Sequence, residues 1–187
     1  ISETAERCVE AARKGSVIIV IFLMKGGRKM AEIQIARIDY RLIHGQVVTK
    51  WMKAYPAKRI VIVDTELAQD DFMADIYAMA APAGTKVDVV ETDQAKSFLE
   101  GTKGSVFLLF KNVESCYEAF SDGVIFPKLV VGGIPTDAGK ALVYSSIYMS
   151  ASEYEKLEKI SDTGIQVILQ STPDDSYAEL SKIKEKL

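Results

Sequence analysis

The chain has one histidine, His44, set in the segment Arg37-Ile38-Asp39-Tyr40-Arg41-Leu42-Ile43-His44-Gly45-Gln46-Val47. Imidazole is the side chain whose ordinary pKa lets it donate, accept or attack near neutral pH, so any histidine chemistry here happens at His44. A phosphoryl group arriving at a protein needs a nucleophile, donors for its oxygens and a group that orients the nucleophile. His44 offers a ring nitrogen, Arg41 and Arg37 offer guanidinium forks suited to oxyanions, and Asp39 can hold the imidazole tautomer or position an arginine. Gly45 permits close backbone approach, and a helix opening at Gly45 or Gln46 would aim its free N–H groups and positive dipole end at the anion. Spacing alone leaves a second reading open, in which His44 is a structural residue and both arginines pair with Asp39 on a solvated loop. A single histidine excludes a zincin helix and, with two distant cysteines, a structural zinc cluster.

Lesser candidates lie elsewhere. Asp64, at the end of an expected strand, could orient an arginine or cap the following helix. Gly132-Gly133 after another strand could bring backbone near a phosphate, although a Gly-Gly pair most often only lets the chain turn. Trp51 reads as core or partner-facing, and Cys116 shares a helix face with Val113 and Phe120 and reads as packing.

The elements that must position these residues are legible from hydrophobic patterning. Short β-branched runs at Glu32–Ile38, Arg59–Asp64, Lys86–Glu91, Ser105–Phe110, Lys128–Val131, Leu142–Ser145 and Ile165–Leu169 are mostly continuous rather than alternating, as in parallel strands covered on both faces. Helices are expected at Gly45–Tyr55, Gln69–Ala80 and Thr92–Glu100, after Asn112, after Ser150 with Glu153 as a capping box, and after Thr172 with Pro173 in the first turn. This alternation predicts an α/β fold, an open doubly wound and mainly parallel sheet of six or seven strands with helices on both faces. Ligands of such sheets bind beyond the carboxyl ends of the strands, where the segment after Ile38 would lie.

The 187 residues suit one domain, and a net charge of −3 carries no broad basic surface for nucleic acid. Cys8 and Cys116 form no CxxC pair, which points to a reducing compartment such as the cytoplasm. The longest apolar run, Val17–Met24, falls well short of the ~20 residues of a membrane span. Residues 1–29 end in the basic, glycine-rich stretch Lys25-Gly26-Gly27-Arg28-Lys29 before Met30. They read as an upstream extension or linker, with the working domain over residues 30–187. The alternative is an extension contributing a helix and an edge strand.

The run Arg-Ile-Asp-x-Arg-Leu-Ile-His-Gly-Gln-Val at positions 37–47, followed by Trp51, resembles the phosphorylation segment of IIB components of the mannose/sorbose-type bacterial phosphotransferase system. The likeness extends over nearly all of residues 31–187, including Asp64, Ala81-Pro82-Ala83-Gly84, Phe107-Leu108-Leu109-Phe110 and Gly132-Gly133-Ile134. It implies a protein-phosphohistidine–sugar phosphotransferase, cytoplasmic and held at the inner face of the membrane by the IIC and IID components. His44, through Nδ1, would take a phosphoryl group from the IIA component and pass it to a sugar hydroxyl. Arg41 and Asp39 would complete the catalytic set, and Arg37, Gly45 and Gln46 would bind phosphate, with Asp64, Gly132 and Gly133 as weaker candidates. The resemblance implies no metal or organic cofactor, it does not name the sugar, and it is compatible with a homodimer. The rival from another class is a regulatory module in which phospho-His44 gates a protein contact; a third is an unrelated enzyme using Arg41 and His44 on a phosphorylated metabolite. Three positions depart from the family's habits. Tyr40 stands where a second acid is common, Val130 where asparagine is common, and Gln170 where a base is common. The missing base would shift phosphate stabilisation to Lys111 or Lys140.

Overall fold

The computed structural model describes residues 31–187. Its framework is a seven-stranded sheet built from β1 (Glu32–Ile38), β2 (Arg59–Val63), β3 (Lys86–Val90), β4 (Ser105–Phe110), β5 (Lys128–Val131), β8 (Gln166–Leu169) and β9 (Ala178–Glu179), in the order β3-β2-β4-β1-β5-β8-β9. All neighbours are parallel except β8 and β9. The central strands are apolar at nearly every position because both faces are covered, and β4 is buried from Val106 to Phe110.

One face carries Ile35, Ile60, Ile62, Phe107, Leu109, Val130 and Ile168. It is covered by α1 (Gly45–Ala54), α2 (Thr65–Ala68) and α3 (Asp71–Met79), through Val48, Trp51, Leu67, Met73 and Tyr77. The opposite face carries Ile38, Val61, Val63, Leu108, Phe110, Leu129, Val131 and Leu169. Its cover is α4 (Ala95–Gly101), α5 (Val113–Ser121), α6 (Ala151–Ser161) and a C-terminal 3-10 segment, Leu180–Lys186. The start signals act as expected at two helices. Asn112 accepts from Ser115 N at 2.8 Å, and Ser150 and Glu153 form a reciprocal capping box.

Other expectations are corrected. Leu142–Ser145 does form a strand, but not one of the parallel sheet: β6 (Ala141–Tyr144) pairs antiparallel with β7 (Ile147–Met149) in a separate hairpin that turns at Ser145, where φ is 46°. Its apolar residues alternate, with Val143 buried and Leu142 half exposed, which is the pattern of a strand covered on one face only. No helix starts at Thr172 and Pro173. Thr172 N donates to Asp175 Oδ2 at 2.9 Å, so the Asp175 side chain closes a turn, and the chain then adds β9 to the sheet. The expected helix Gln69–Ala80 begins later, because Asp70 caps α3 by accepting from Met73 N at 3.0 Å, while Asp64 caps the separate turn of α2. A short 3-10 turn, Thr92–Gln94, precedes α4.

These connections leave the loops after β1, β2, β4, β5 and β8 at one edge of the sheet, with the His44 segment central between β4 and β5. Cys116 is sealed beneath α5, and burial pushes its thiol well above the ordinary range. In a Cys8→Ser background Cys116 should therefore resist an aromatic disulfide reagent at mildly alkaline pH and react fully in concentrated guanidinium. Fast reaction of the folded protein would contradict this packing.

Candidate functional site

Arg37 lies opposite Leu109 and Val130 on the neighbouring strands and is 1% exposed. Its Nη1 donates to Gln170 O at 3.0 Å, and its Nη2 donates to Ser171 O at 3.0 Å and to Asp39 Oδ2 at 2.8 Å. The guanidinium carbon sits 4.7 Å from the centre of the Trp51 ring, whose Nε1 donates to the same Ser171 carbonyl at 3.1 Å. Burial lowers the Arg37 pKa and Asp39 counteracts it; the group keeps its proton. The ends of β1 and β8 and the second turn of α1 are thus bound into one unit.

Asp39, also 1% exposed, turns its second oxygen outward. Oδ1 accepts from Arg41 N at 3.2 Å and from Arg41 Nε at 3.3 Å. Arg41 is consequently anchored at its backbone and at Nε. Its terminal nitrogens, on a side chain 40% exposed, hold no hydrogen bond among the described residues. The Tyr40 ring lies 5.4 Å from the Arg41 guanidinium carbon and stiffens it further.

The backbone then reverses. Leu42 N donates to Asp39 O at 2.9 Å, and Leu42 takes φ of 54° while its side chain is buried. A branched apolar residue in the left-handed region carries of order 1 kcal/mol or more of strain, held here by packing. The result is that Leu42 O meets His44 Nδ1 at 2.9 Å. A carbonyl can only accept, so Nδ1 bears the proton and the lone pair of the neutral ring is on Nε2. Nε2 is buried and has no hydrogen-bond partner among the described residues. The nitrogen expected to attack is therefore engaged in this geometry, and the other is enclosed.

His44 is also the N-cap of α1, with φ of −148° and no side-chain capping bond, and the first turn of α1 contains no acid. The free N–H groups and positive dipole end of the helix are thereby uncompensated beside the imidazole. Gly45 opens the helix at φ of 34°, a conformation that favours glycine. Gln46 follows within the same turn, and its side chain lies outside the described residues.

The weaker candidates divide. Gly132 and Gly133 adjoin the site: a Cβ on Gly132 would fall within the Arg37 guanidinium, and one on Gly133 would come 3.1 Å from the Tyr40 ring. Gly133 O also accepts from Tyr40 N at 3.0 Å, so this pair supports the loop. Asp64 orients no arginine; its Oδ1 accepts from Leu67 N at 2.9 Å as a helix cap. Lys140 is paired with Glu153 at 2.7 Å, and Lys111 faces Glu66 at 3.8 Å. Gln170 uses its side-chain amide to donate to Asp175 O at 2.8 Å, while its own carbonyl receives Arg37. Val130 is core.

Sequence reading missed Ser171, whose carbonyl joins Arg37 to Trp51, and Leu42, whose carbonyl holds the imidazole. Main-chain acceptors leave no residue-type signal. The one available hint was Trp51 itself, since a buried indole N–H requires a partner.

The family model described as PTS system sorbose subfamily IIB component matches residues 33–187. The sorbose-specific EIIB component of Lacticaseibacillus casei is 32% identical over 157 residues, covering 82% of this chain and 96% of that protein. Two solved structures share the fold. One is manxB from Thermoanaerobacter tengcongensis, at 40% identity and a TM-score of 0.79, covering 84% of this chain and 98% of that one. The other is the IIBSor domain of the sorbose permease from Klebsiella pneumoniae, at 30% identity and a TM-score of 0.78, covering 83% and 98%. With the His44 loop lying at the carboxyl edge of such a sheet, the chain belongs to the sorbose subfamily of phosphotransferase-system IIB components.

Proposed function

We propose that this chain is a sugar phosphotransferase subunit in which His44 carries the phosphoryl group. The observation that carries this reading is the placement of His44, at the start of α1 with no side-chain cap, on the same loop as an Arg41 guanidinium whose outer nitrogens hold no hydrogen bond among the described residues. In the first step the N–P bond of a phosphohistidine on the IIA component breaks and an N–P bond to His44 forms. In the second, that bond breaks, a P–O bond to a sugar hydroxyl forms and the hydroxyl proton is released. The IIC and IID components would present the sugar. Arg41 and the α1 N–H groups offset charge on the transferring group, and Asp39 holds Arg41 in place. Arg37 acts beneath them as the anchor of the loop and does not touch phosphate.

The attacking atom is Nδ1. It becomes available when the ring turns away from Leu42 O and the proton moves to Nε2. No helix among the described residues is long and apolar enough to cross a membrane. This fits a cytoplasmic subunit that reaches the membrane through IIC and IID.

The domain itself begins near Met30. Ala31 N donates to Leu99 O at 3.3 Å, β1 opens at Glu32, and the family match starts at residue 33. On this reading a chain starting at Met30 should melt within a few degrees of the full chain. A large fall would place residues 1–29 in the domain.

Incubation with phosphoenolpyruvate, the general phosphotransferase proteins and the cognate IIA component should give one acid-labile phosphate, on Nδ1 of His44, with ¹⁵N shifts showing a protonated Nδ1 in the neutral ring before transfer. Label remaining in His44→Ala refutes the assignment, and phosphate on Nε2 refutes the choice of atom.

The two arginines should separate cleanly. Arg41→Ala removes a charge-assisted contact of about 1.5–3 kcal/mol, slowing transfer roughly ten- to hundredfold with the melting midpoint nearly unchanged. Arg37→Ala strands the buried Asp39 carboxylate and should destabilise the fold by about 3–5 kcal/mol. Wild-type melting with abolished transfer in Arg37→Ala would put the phosphate on Arg37 instead.

A further inference from the structure

Helix α3 buries no residue completely. Met73 and Tyr77 lean on the sheet, whereas Phe72, Ile76 and Met79, spaced i, i+4 and i+7, are 73%, 41% and 85% exposed. Single exposed apolar residues are ordinary, but a stripe of three large ones along one short helix marks a surface for binding. The stripe stands in an acidic field. Glu66, Asp70, Asp71 and Asp75 are exposed around it, and no lysine or arginine occurs between Asp64 and Thr85. Among the described residues, the cation paired with these carboxylates is Lys111, 3.8 Å from Glu66.

Resting on the phosphotransfer reading above, we propose that α3 docks the membrane-embedded subunits of the same system through a cytoplasmic segment that sets apolar side chains between lysines and arginines. The complementarity selects this occupant. An anionic lipid surface would meet the carboxylates at close range, and a second copy would bring two such sets together. Cytoplasmic segments of membrane proteins carry an excess of lysine and arginine. The position is also suitable. α3 lies on the α1 side of the sheet, over the margin at β3, and β3 is three strands from β1, or about 14 Å at ~4.8 Å per strand. A subunit seated on α3 is thus beside the His44 loop without covering it.

The test uses the full chain and proteoliposomes holding the cognate IIC and IID components in neutral lipid, with protein-free vesicles of neutral and of anionic lipid as controls. Phe72→Ser with Met79→Ser, and separately Asp71→Lys with Asp75→Lys, should keep wild-type melting and normal labelling of His44 by the IIA component. Both should bind the proteoliposomes at least tenfold more weakly and lose sugar phosphorylation in proportion, and added salt should weaken wild-type binding. Unchanged binding by the variants overturns the proposal. So does binding of the wild type to protein-free vesicles that the serine variant loses, which makes the face a lipid site, or a wild-type dimer that the serine variant dissociates, which makes it a self-association site. A fall in melting midpoint of the serine variant also overturns it, since the stripe would then be covered from within the chain. Failure of the wild type to label His44 at all refutes the phosphotransfer reading itself, whatever α3 binds.

Discussion

The buried ion pair between Arg37 and Asp39 is the constraint on which the site depends. Two opposite charges removed from water incur a desolvation penalty that their attraction offsets only when the remaining donors and acceptors are also satisfied. Here the Arg37 fork also reaches the carbonyls of Gln170 and Ser171 and lies over the Trp51 ring, while the second Asp39 oxygen takes two N–H groups of Arg41. Such a pair adds little net stability. Its effect is geometric, because the start of the loop cannot shift without exposing an unpaired charge to the interior. Gly132 belongs to the same constraint, being the position where any side chain would displace the guanidinium.

The pair also sets the electrostatics of the surface above it. An aspartate next to an incoming phosphoryl group would ordinarily repel it, but Asp39 is neutralised from below by Arg37 and directs Arg41 from above. One positive charge is left over, fixed at Nε and open at its outer nitrogens. Together with the acid-free first turn of α1, this arrangement would, on the proposed reading, receive an anion without a base at position 170. Gln170 serves the network through its main chain and closes the following loop with its side chain.

His44 is held differently. Its orientation comes from the Leu42 carbonyl, and Leu42 reaches that position only in a backbone conformation disfavoured for leucine. The buried side chain supplies the opposing force. A strained residue two positions before His44 suits a ring that, on the proposed reading, must leave its resting hydrogen bond to react, and it places the mobile step in the loop while the Arg37 anchor stays fixed.

Residue types and local spacing alone determined the parallel α/β layering, the single histidine, its flanking cations and the starts of α1, α5 and α6, because hydrophobic period and capping are short-range. They also carried the family resemblance. Only the tertiary structure decided which arginine faces solvent, since Arg37 and Arg41 are equivalent in type and differ only in the carbonyls that β8 and its loop deliver across more than 130 positions. The same holds for Asp64, resolved as a cap; for Leu142–Ser145, which the chain folds into a hairpin; and for the turn at Thr172, where a side chain outcompetes the helix. The protonated nitrogen of His44 was equally out of reach, because it depends on a main-chain oxygen that every residue possesses and only the fold can aim.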